Sequence, residues 1–199
     1  MYLYGASGHA KVIIDILKSN GISLNGIFDD NLEIRNLLEY KVLGKYNPLQ
    51  VNEDKIIISI GNNRLRAAVA ARISNCFGIA VHNSASVSEC SSIDFGSVVM
   101  HKAIIQSDTR IGKHVIINSG AIVEHDCTID NFVHISPNVT LCGNVSIGEG
   151  THVGAGAIII PGIIVGKWTI IGAGSVIIKH VPDFAVVVGN PGKIIKMVK

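Results

Sequence analysis

The chain of 199 residues has room for one or two domains, and it is 48% hydrophobic but only 5% aromatic. Its 17 basic and 15 acidic residues nearly balance, which excludes a nucleic-acid-binding tail and a polybasic membrane patch. The chain opens directly into an apolar stretch without a charged-then-apolar leader. We therefore expect no signal peptide and no membrane insertion, and we predict a cytoplasmic protein.

The first eighty residues alternate short apolar strands with helical patterns. Strands are predicted at 1–4, 24–28 and 56–60, and a helix follows both the first and the third strand. This order predicts an α/β, Rossmann-like half domain over residues 1–80. The loop Gly5–His9 would present backbone N–H groups and a helix N-terminus to a phosphate. Asp29 or Asp30, about twenty residues further on, would accept hydrogen bonds from a ribose or a base.

Two interpretations of this loop remain open. It contains a GxxG pattern but lacks the third glycine of the dinucleotide fingerprint, so a tight turn without a ligand is an equal alternative. A half domain of this size is also too small to hold NAD across a switch point. If the loop binds a nucleotide, a UDP- or dTDP-type group is favoured over a dinucleotide.

The rest of the chain carries a repeat of six residues. A branched aliphatic residue occupies every sixth position from Val87 to Ile177 without interruption, and a small or β-branched residue stands two positions before most of them. A period of six is the hexapeptide signature of a parallel β-helix, in which three hexapeptides form a coil of about 18 residues. Polar residues interrupt every repeat, which excludes a membrane-spanning helix. We predict an all-β parallel β-helix over residues 81–199, with a short C-terminal tail.

Residues 18 apart should lie above one another in coils that stack about 4.8 Å apart. This register places His125 below Gly143, His134 below His152 and Ala155 below Ala173.

The acid beside His125, Asp126, would fix the tautomer of the imidazole and raise its basicity. A base about 5 Å from the bare N–H of Gly143 suits acyl transfer, because one group removes a proton while the other holds an oxyanion. Cys127 falls at an inward position of the repeat, so we expect no acyl-enzyme on it.

The remaining histidines of the solenoid lie outside the inward positions. We therefore expect His101, His114 and His180 to face solvent or a neighbouring subunit. An alternative reading combines His114, His125, His134 and His152 in a zinc-dependent hydratase of the same architecture. Three convergent histidines are not evident from the spacing, and the four cysteines lack CxxC spacing, so we expect no metal and reduced thiols.

Six segments distributed over both domains carry a resemblance to a known family. They are Tyr4–His9, Phe28–Asp30, Ile60–Asn63, Ile122–Asp126, Cys142–Gly148 and Val188–Lys193. With these segments the chain resembles the bacterial sugar O-acyltransferases of the sialic acid O-acetyltransferase type. That family includes the UDP-4-amino-sugar N-acetyltransferases of glycan biosynthesis.

The resemblance implies a left-handed β-helix, a homotrimer with active sites between subunits, and acetyl-CoA in the groove between neighbouring β-helices. It implies that His125 is the general base, that Asp126 tunes it, and that His134 and the Gly143 N–H meet the thioester. Backbone contacts to the pantetheine arm are implied for Ala155 and Ala173. The residues implied to hold the nucleotide-sugar are Ser7, Gly8, His9, Asp29, Asp30, Gly61 and Asn62.

The sequence thus predicts an acetyl-CoA-dependent N-acetyltransferase acting on a nucleotide-linked (UDP or dTDP) 4-amino-sugar. O-acetylation of sialic acid or another glycan sugar is the main alternative, because the sequence does not show the nucleophile. A non-catalytic scaffold is a further alternative, which the loss of His125 or Gly143 would have favoured, and both residues are present.

Overall fold

A computed structural model describes residues 1–198. The N-terminal α/β region consists of β1 (Tyr2–Tyr4), α1 (Gly8–Ser19), β2 (Gly26–Phe28), β3 (Asn36–Leu37), β4 (Tyr40–Lys41), α2 (Pro48–Val51), β5 (Ile56–Ile58) and α3 (Asn63–Ala70). Strands β2, β1 and β5 form a parallel sheet in that order, and β3 and β4 form a hairpin. Helix α1 covers the sheet with its apolar stripe, as the helical spacing of its buried residues requires. The predicted α/β half domain is confirmed.

A run of two-residue strands follows. These are β6 (Ala80–Val81), β7 (Ser86–Val87), β8 (Ser92–Ile93), β9 (Val98–Val99), β10 (Ile104–Ile105), β11 (Arg110–Ile111), β12 (Ile116–Ile117), β13 (Ile122–Val123), β14 (Thr128–Ile129), β15 (His134–Ile135), β16 (Thr140–Leu141), β17 (Ser146–Ile147), β18 (His152–Val153), β19 (Ile158–Ile159), β20 (Ile164–Val165), β21 (Ile170–Ile171) and β22 (Val176–Ile177). The chain then closes with β23 (Ala185–Val188) and β24 (Lys193–Met197).

These strands form a three-sided parallel solenoid. Face 1 contains β6, β9, β12, β15, β18 and β21 and ends in β23 and β24; face 2 runs from β7 to β22, and face 3 from β8 to β20. We call the turns between them corner 1/2, corner 2/3 and corner 3/1. Strand partners are 18 residues apart, as in the pairing of Ile105 with Val123 and of Val123 with Leu141. The predicted coil of three hexapeptides is confirmed.

The repeat residues form the interior of the solenoid. Every sixth residue from Val99 to Ile177 is at most 2% exposed, and Cys127 points inward with them, as predicted. Small or β-branched residues such as Ala103, Thr109 and Ala121 fill the corners and are fully buried. The core is thus a stack of aliphatic layers, and ligands have access only to its outer surfaces.

The α/β region packs against the first coils of face 1. Val98, Met100 and Ile116 join the core cluster that α1 covers. Arg66 of α3 is 1% exposed and donates to backbone carbonyls of the solenoid at His114 (2.9 Å) and Phe132 (2.9 Å). Burial lowers the pKa of Arg66 to about 9, so the guanidinium remains charged at neutral pH. Asn63, also in α3, makes a second docking contact by donating to the carbonyls of Gly150 and Thr151.

One expectation about the histidines was wrong. His114 is 3% exposed, and its ring lies against Phe77 and Phe132, with ring centroids 4.4 and 5.1 Å away. Among residues 1–198 its Nδ1 finds no hydrogen-bond partner, and burial lowers the pKa of His114 to about 4. The outward register was correct, but the outer surface at this corner is covered by the segment that joins the two regions.

None of the helices in residues 1–198 has both the length and the apolar character needed to cross a membrane.

Candidate active site

Corner 2/3 brings together the predicted base and the predicted oxyanion donor. The Nδ1 atom of His125 lies 2.7 Å from Oδ2 of Asp126, and both side chains are exposed. The imidazole lies across the backbone of Gly143 in the next coil, where a Cβ atom would stand 2.6 Å from Cε1 of His125. Within residues 1–198 the N–H of Gly143 has no backbone acceptor. A ring nitrogen and a backbone amide, neither of them engaged in a hydrogen bond within residues 1–198, therefore lie next to each other at this corner.

The carboxylate of Asp126 sets the chemistry of this imidazole. A carboxylate accepts only, so Nδ1 donates its proton and Nε2 keeps its lone pair. The hydrogen bond to Asp126 raises the pKa of His125 above its usual value, with a smaller contribution from the charges of Asp126 and Glu124. His125 is thus a stronger base than an isolated histidine, and the proton that it accepts enters at Nε2.

The glycine loop is tied to the end of β2. The N–H of Ala6 donates to Asp29 (2.6 Å), whose other oxygen accepts from the N–H of Asn31 at 2.8 Å. Asp30 is exposed and pairs with Arg72 at 3.2 Å. Ser7 and Gly8 are exposed at the start of α1, and the Ser7 hydroxyl caps no N–H of that helix. Asp29 therefore fixes the loop, while the side chain of Asp30 is directed to Arg72.

The loops after β1 and β5 converge on His134 of face 1. The Nδ1 atom of His134 lies 3.3 Å from the Gly61 carbonyl, and its ring centroid is 6.5 Å from that of His9. Burial lowers the pKa of His134 to about 3 and that of His9 to about 4, so both rings are neutral at pH 7. His152 stacks on His134 with centroids 4.9 Å apart, as the 18-residue register predicted.

A single chain does not bring all the predicted residues together. His125 and Gly143 lie on corner 2/3, His134 lies on the opposite face 1, and Ala155 and Ala173 lie on corner 1/2. The predicted stacking of Ala155 and Ala173 is present, but their corner is separated from Gly143 by the width of face 2.

A cleft that was not predicted from the sequence lies between α3 and the upper coils of face 1. This cleft has a volume of about 410 Å³. Its lining includes the predicted substrate residues Gly61 and Asn62 as well as His134, together with Arg64 and Trp168, which sequence reasoning missed. A large aromatic ring at a hexapeptide corner was the available signal, since Trp168 is the sole tryptophan of the chain.

In the described part of the chain, residues 1–198, no group of three histidine, cysteine, aspartate or glutamate side chains is placed to hold a metal ion.

Family models cover most of the chain. Residues 1–73 match the model of the PglD N-terminal domain, and residues 108–143 and 144–179 match the bacterial transferase hexapeptide repeat.

Solved structures match both regions at once. The chain is 35% identical to GDP-perosamine N-acetyltransferase from Caulobacter crescentus in complex with CoA and GDP-perosamine, over 98% of this chain and 96% of that one, with a TM-score of 0.93. It is also 35% identical to the acetyltransferase domain of PglB from Neisseria gonorrhoeae bound to acetyl coenzyme A, over 98% of both chains (TM-score 0.88). WeeI from Acinetobacter baumannii is 26% identical over 98% of both chains (TM-score 0.86).

Among curated proteins, the uncharacterized protein L142 of Acanthamoeba polyphaga mimivirus is 32% identical over 76 residues. That match spans 38% of this chain and only 16% of the viral protein.

Taken with the hexapeptide solenoid and the His125 corner, these matches define the class: a CoA-dependent sugar acetyltransferase. The chain belongs to the hexapeptide-repeat sugar acyltransferase family of the sialic acid O-acetyltransferase type. The family and the enzyme class predicted from the sequence are confirmed.

Proposed function

We propose that this enzyme transfers the acetyl group of acetyl-CoA to the amine of a nucleotide-linked 4-amino-sugar. The observation that carries the proposal is the imidazole of His125, held by Asp126 and lying across the bare backbone of Gly143. Support for an amine acceptor comes from the whole-chain likeness to an enzyme that binds CoA and GDP-perosamine, an amino-sugar nucleotide. The loop from Ser7 to His9, with Asp29 and Asp30, is the proposed nucleotide-sugar site.

The geometry supports direct attack on the thioester. The amine nitrogen adds to the carbonyl carbon while Nε2 of His125 takes its proton, and the N–H of Gly143 donates to the developing oxyanion. Collapse of the tetrahedral intermediate breaks the C–S bond, and the CoA thiolate leaves and takes up a proton. Cys127 is fully buried, so it plays no part as a nucleophile.

A homotrimer completes the site. His125 of one copy lies on corner 2/3. His134, Ala155 and Ala173 can come close to it only from a second copy, whose face 1 or corner 1/2 packs against that corner. The outward row of face 2 is apolar enough for such packing, and its members include Ile104, Ile122, Ile158 and Val176. In this assembly acetyl-CoA lies in the groove between two protomers, with its thioester at Gly143 and its pantetheine arm along Ala155 and Ala173 of the neighbouring copy.

The reaction is tested by free-thiol release with acetyl-CoA and a panel of UDP-, dTDP- and GDP-linked 4-amino-sugars, with sialic acid as the O-acetyl acceptor. Removal of the general base by His125→Ala should lower kcat about 10²–10⁴-fold and preserve acetyl-CoA binding. The matched control is His101→Ala, a histidine on another corner of the solenoid. Near-normal turnover of His125→Ala rules out this base, and an ester product formed only with sialic acid rules out N-acetylation.

The shared site has its own test. His125→Ala and His134→Ala proteins, each of low activity, are unfolded, mixed and refolded together. If each site combines His125 of one copy with His134 of another, some sites in a mixed trimer contain both intact histidines. Mixed trimers should then regain a fraction of wild-type activity. A fully active monomer in sedimentation, or no recovery on mixing, contradicts a site between subunits.

A further inference from the structure

The cleft between α3 and face 1 continues from the proposed nucleotide-sugar site. Gly61 and Asn62 form one of its edges, and His134, which contacts the Gly61 carbonyl, forms its floor. The volume of about 410 Å³ falls in the range of small-molecule sites, about 300–1,000 Å³. A group attached to a nucleotide in the loop from Ser7 to His9 therefore has this cleft within reach, since His9 and His134 are neighbours.

One wall of the cleft consists of the indole of Trp168 and the guanidinium of Arg64. Trp168 stands on corner 3/1, and the guanidinium carbon of Arg64 lies 5.1 Å from the centre of its ring. The indole occupies the space above Gly150, one coil below, where a Cβ atom would collide with the ring. A glycine at that position, with a φ of +68°, lets the ring lie flat against the solenoid.

This wall is not what holds the two regions together. Arg66 and Asn63 already make the buried hydrogen bonds that dock α3 on the solenoid. Arg64, by contrast, is exposed, and within residues 1–198 its side chain forms neither an ion pair nor a hydrogen bond. Trp168 is half-buried and leaves part of its ring in the cleft.

The lining of the cleft combines apolar and polar groups in a way that fits a pyranose ring. Trp168 and Ile170, the latter 41% exposed, are apolar. His134, His152 and Asn62 supply donors and acceptors, and His152 pairs with Ile170 on face 1. A sugar ring has an apolar face of C–H groups and a polar rim, so it packs its face on an aromatic ring and turns its rim to polar groups.

We propose that Trp168, with Arg64 stacked on it, is the specificity-determining wall that orients the sugar ring of the nucleotide-sugar in this cleft. The proposal rests on the proposed function, because it assigns residues to the acceptor of that reaction. The sugar packs on the guanidinium plane of Arg64 and on the part of the indole that Arg64 and Gly150 leave uncovered, and the charge of Arg64 is available to the diphosphate that links sugar and nucleoside.

The chain supplies its own probe, since Trp168 is its sole tryptophan. Without acetyl-CoA, addition of the nucleotide amino-sugar that the enzyme turns over should change the tryptophan emission of the wild-type protein. The nucleoside diphosphate alone should bind with less change, because it lacks the sugar. Unchanged emission at saturating nucleotide-sugar, in an enzyme that turns that sugar over, overturns the proposal and leaves the proposed function intact.

Kinetics give the second measurement. Loss of a stacked ring in Trp168→Ala should raise KM for the nucleotide-sugar about tenfold, with KM for acetyl-CoA unchanged. The matched variant Trp168→Phe keeps an aromatic face and should stay within about threefold of wild type. Equal KM values for both variants and wild type contradict the assignment. Absence of turnover with every amino-sugar nucleotide overturns the proposed function, and this proposal with it.

Discussion

A methyl group on Gly143 should disable the enzyme without unfolding it. The Cβ of an alanine at this position would stand 2.6 Å from Cε1 and 2.8 Å from Nε2 of His125. Non-bonded heavy atoms prefer separations of about 3.5–4.0 Å, so the imidazole would have to move by about 1 Å. Misplacement by about 1 Å costs on the order of 10²-fold in rate, and we expect that loss in kcat for Gly143→Ala.

The thermal stability of this variant should remain close to wild type. The side chain of His125 is 61% exposed, so the ring can turn into solvent without disturbing the core. The loss in kcat is measured by thiol release, and KM for acetyl-CoA reports whether the thioester still binds.

A double-mutant cycle with His125→Ala tests the mechanism of the loss. If the methyl group acts by displacing the imidazole, Gly143→Ala should cost little more once the imidazole is gone. Normal turnover of Gly143→Ala, or losses that multiply fully in the double variant, would refute the reasoning from this contact.

Three further predictions concern charge. Asp126→Asn replaces the charged acceptor of His125 Nδ1–H with a neutral amide oxygen, which weakens the hydrogen bond and removes the charge that raise the pKa of His125. The rising limb of kcat/KM should therefore move to lower pH, with a smaller loss of kcat than in His125→Ala, and an unshifted profile counts against this pairing. Lys179 stands two coils above Gly143 on corner 2/3, about 10 Å along the groove, where its charge can meet the nucleotide phosphates of acetyl-CoA. Lys179→Gln should therefore raise KM for acetyl-CoA but not for acetyl-pantetheine, which lacks those phosphates. The control Lys167→Gln, whose lysine faces Asp183 at 4.0 Å, should change neither constant, and equal effects of both variants would show a non-specific charge effect. Burial holds the pKa of His114 at about 4, so as pH falls below 6.5 this imidazole is protonated in the unfolded chain before it is protonated in the folded one. The free energy of unfolding should therefore fall by about 2 kcal/mol between pH 6.5 and 5 through His114 alone. Urea unfolding should show a smaller fall in His114→Phe.

The repeat explains why so much of the solenoid could be predicted from the sequence. In a coil of 18 residues every residue has its neighbour above and below at a fixed spacing, so His125 and Gly143, like His134 and His152, are paired by counting alone. The order of strands and glycine loop likewise determines the parallel sheet of the N-terminal region. The roles assigned to these residues stay predictions until the variants are measured.

Other features depended on how the two regions pack. The burial of His114 follows from Phe77, which belongs to the joining segment and has no place in the repeat. The cleft that Arg64 and Trp168 line exists because Arg66 docks α3 beside corner 3/1. Which faces of the solenoid are covered also could not be read from a pattern that treats all three alike.

The sequence by itself determined the coil, its register and the pairing of an imidazole with a bare amide, because those relations repeat locally along the chain. Only the tertiary structure decided which histidines are buried, where the cleft opens and that one chain separates His125 from His134. These depend on contacts between segments far apart in sequence, and such contacts leave no periodic signal.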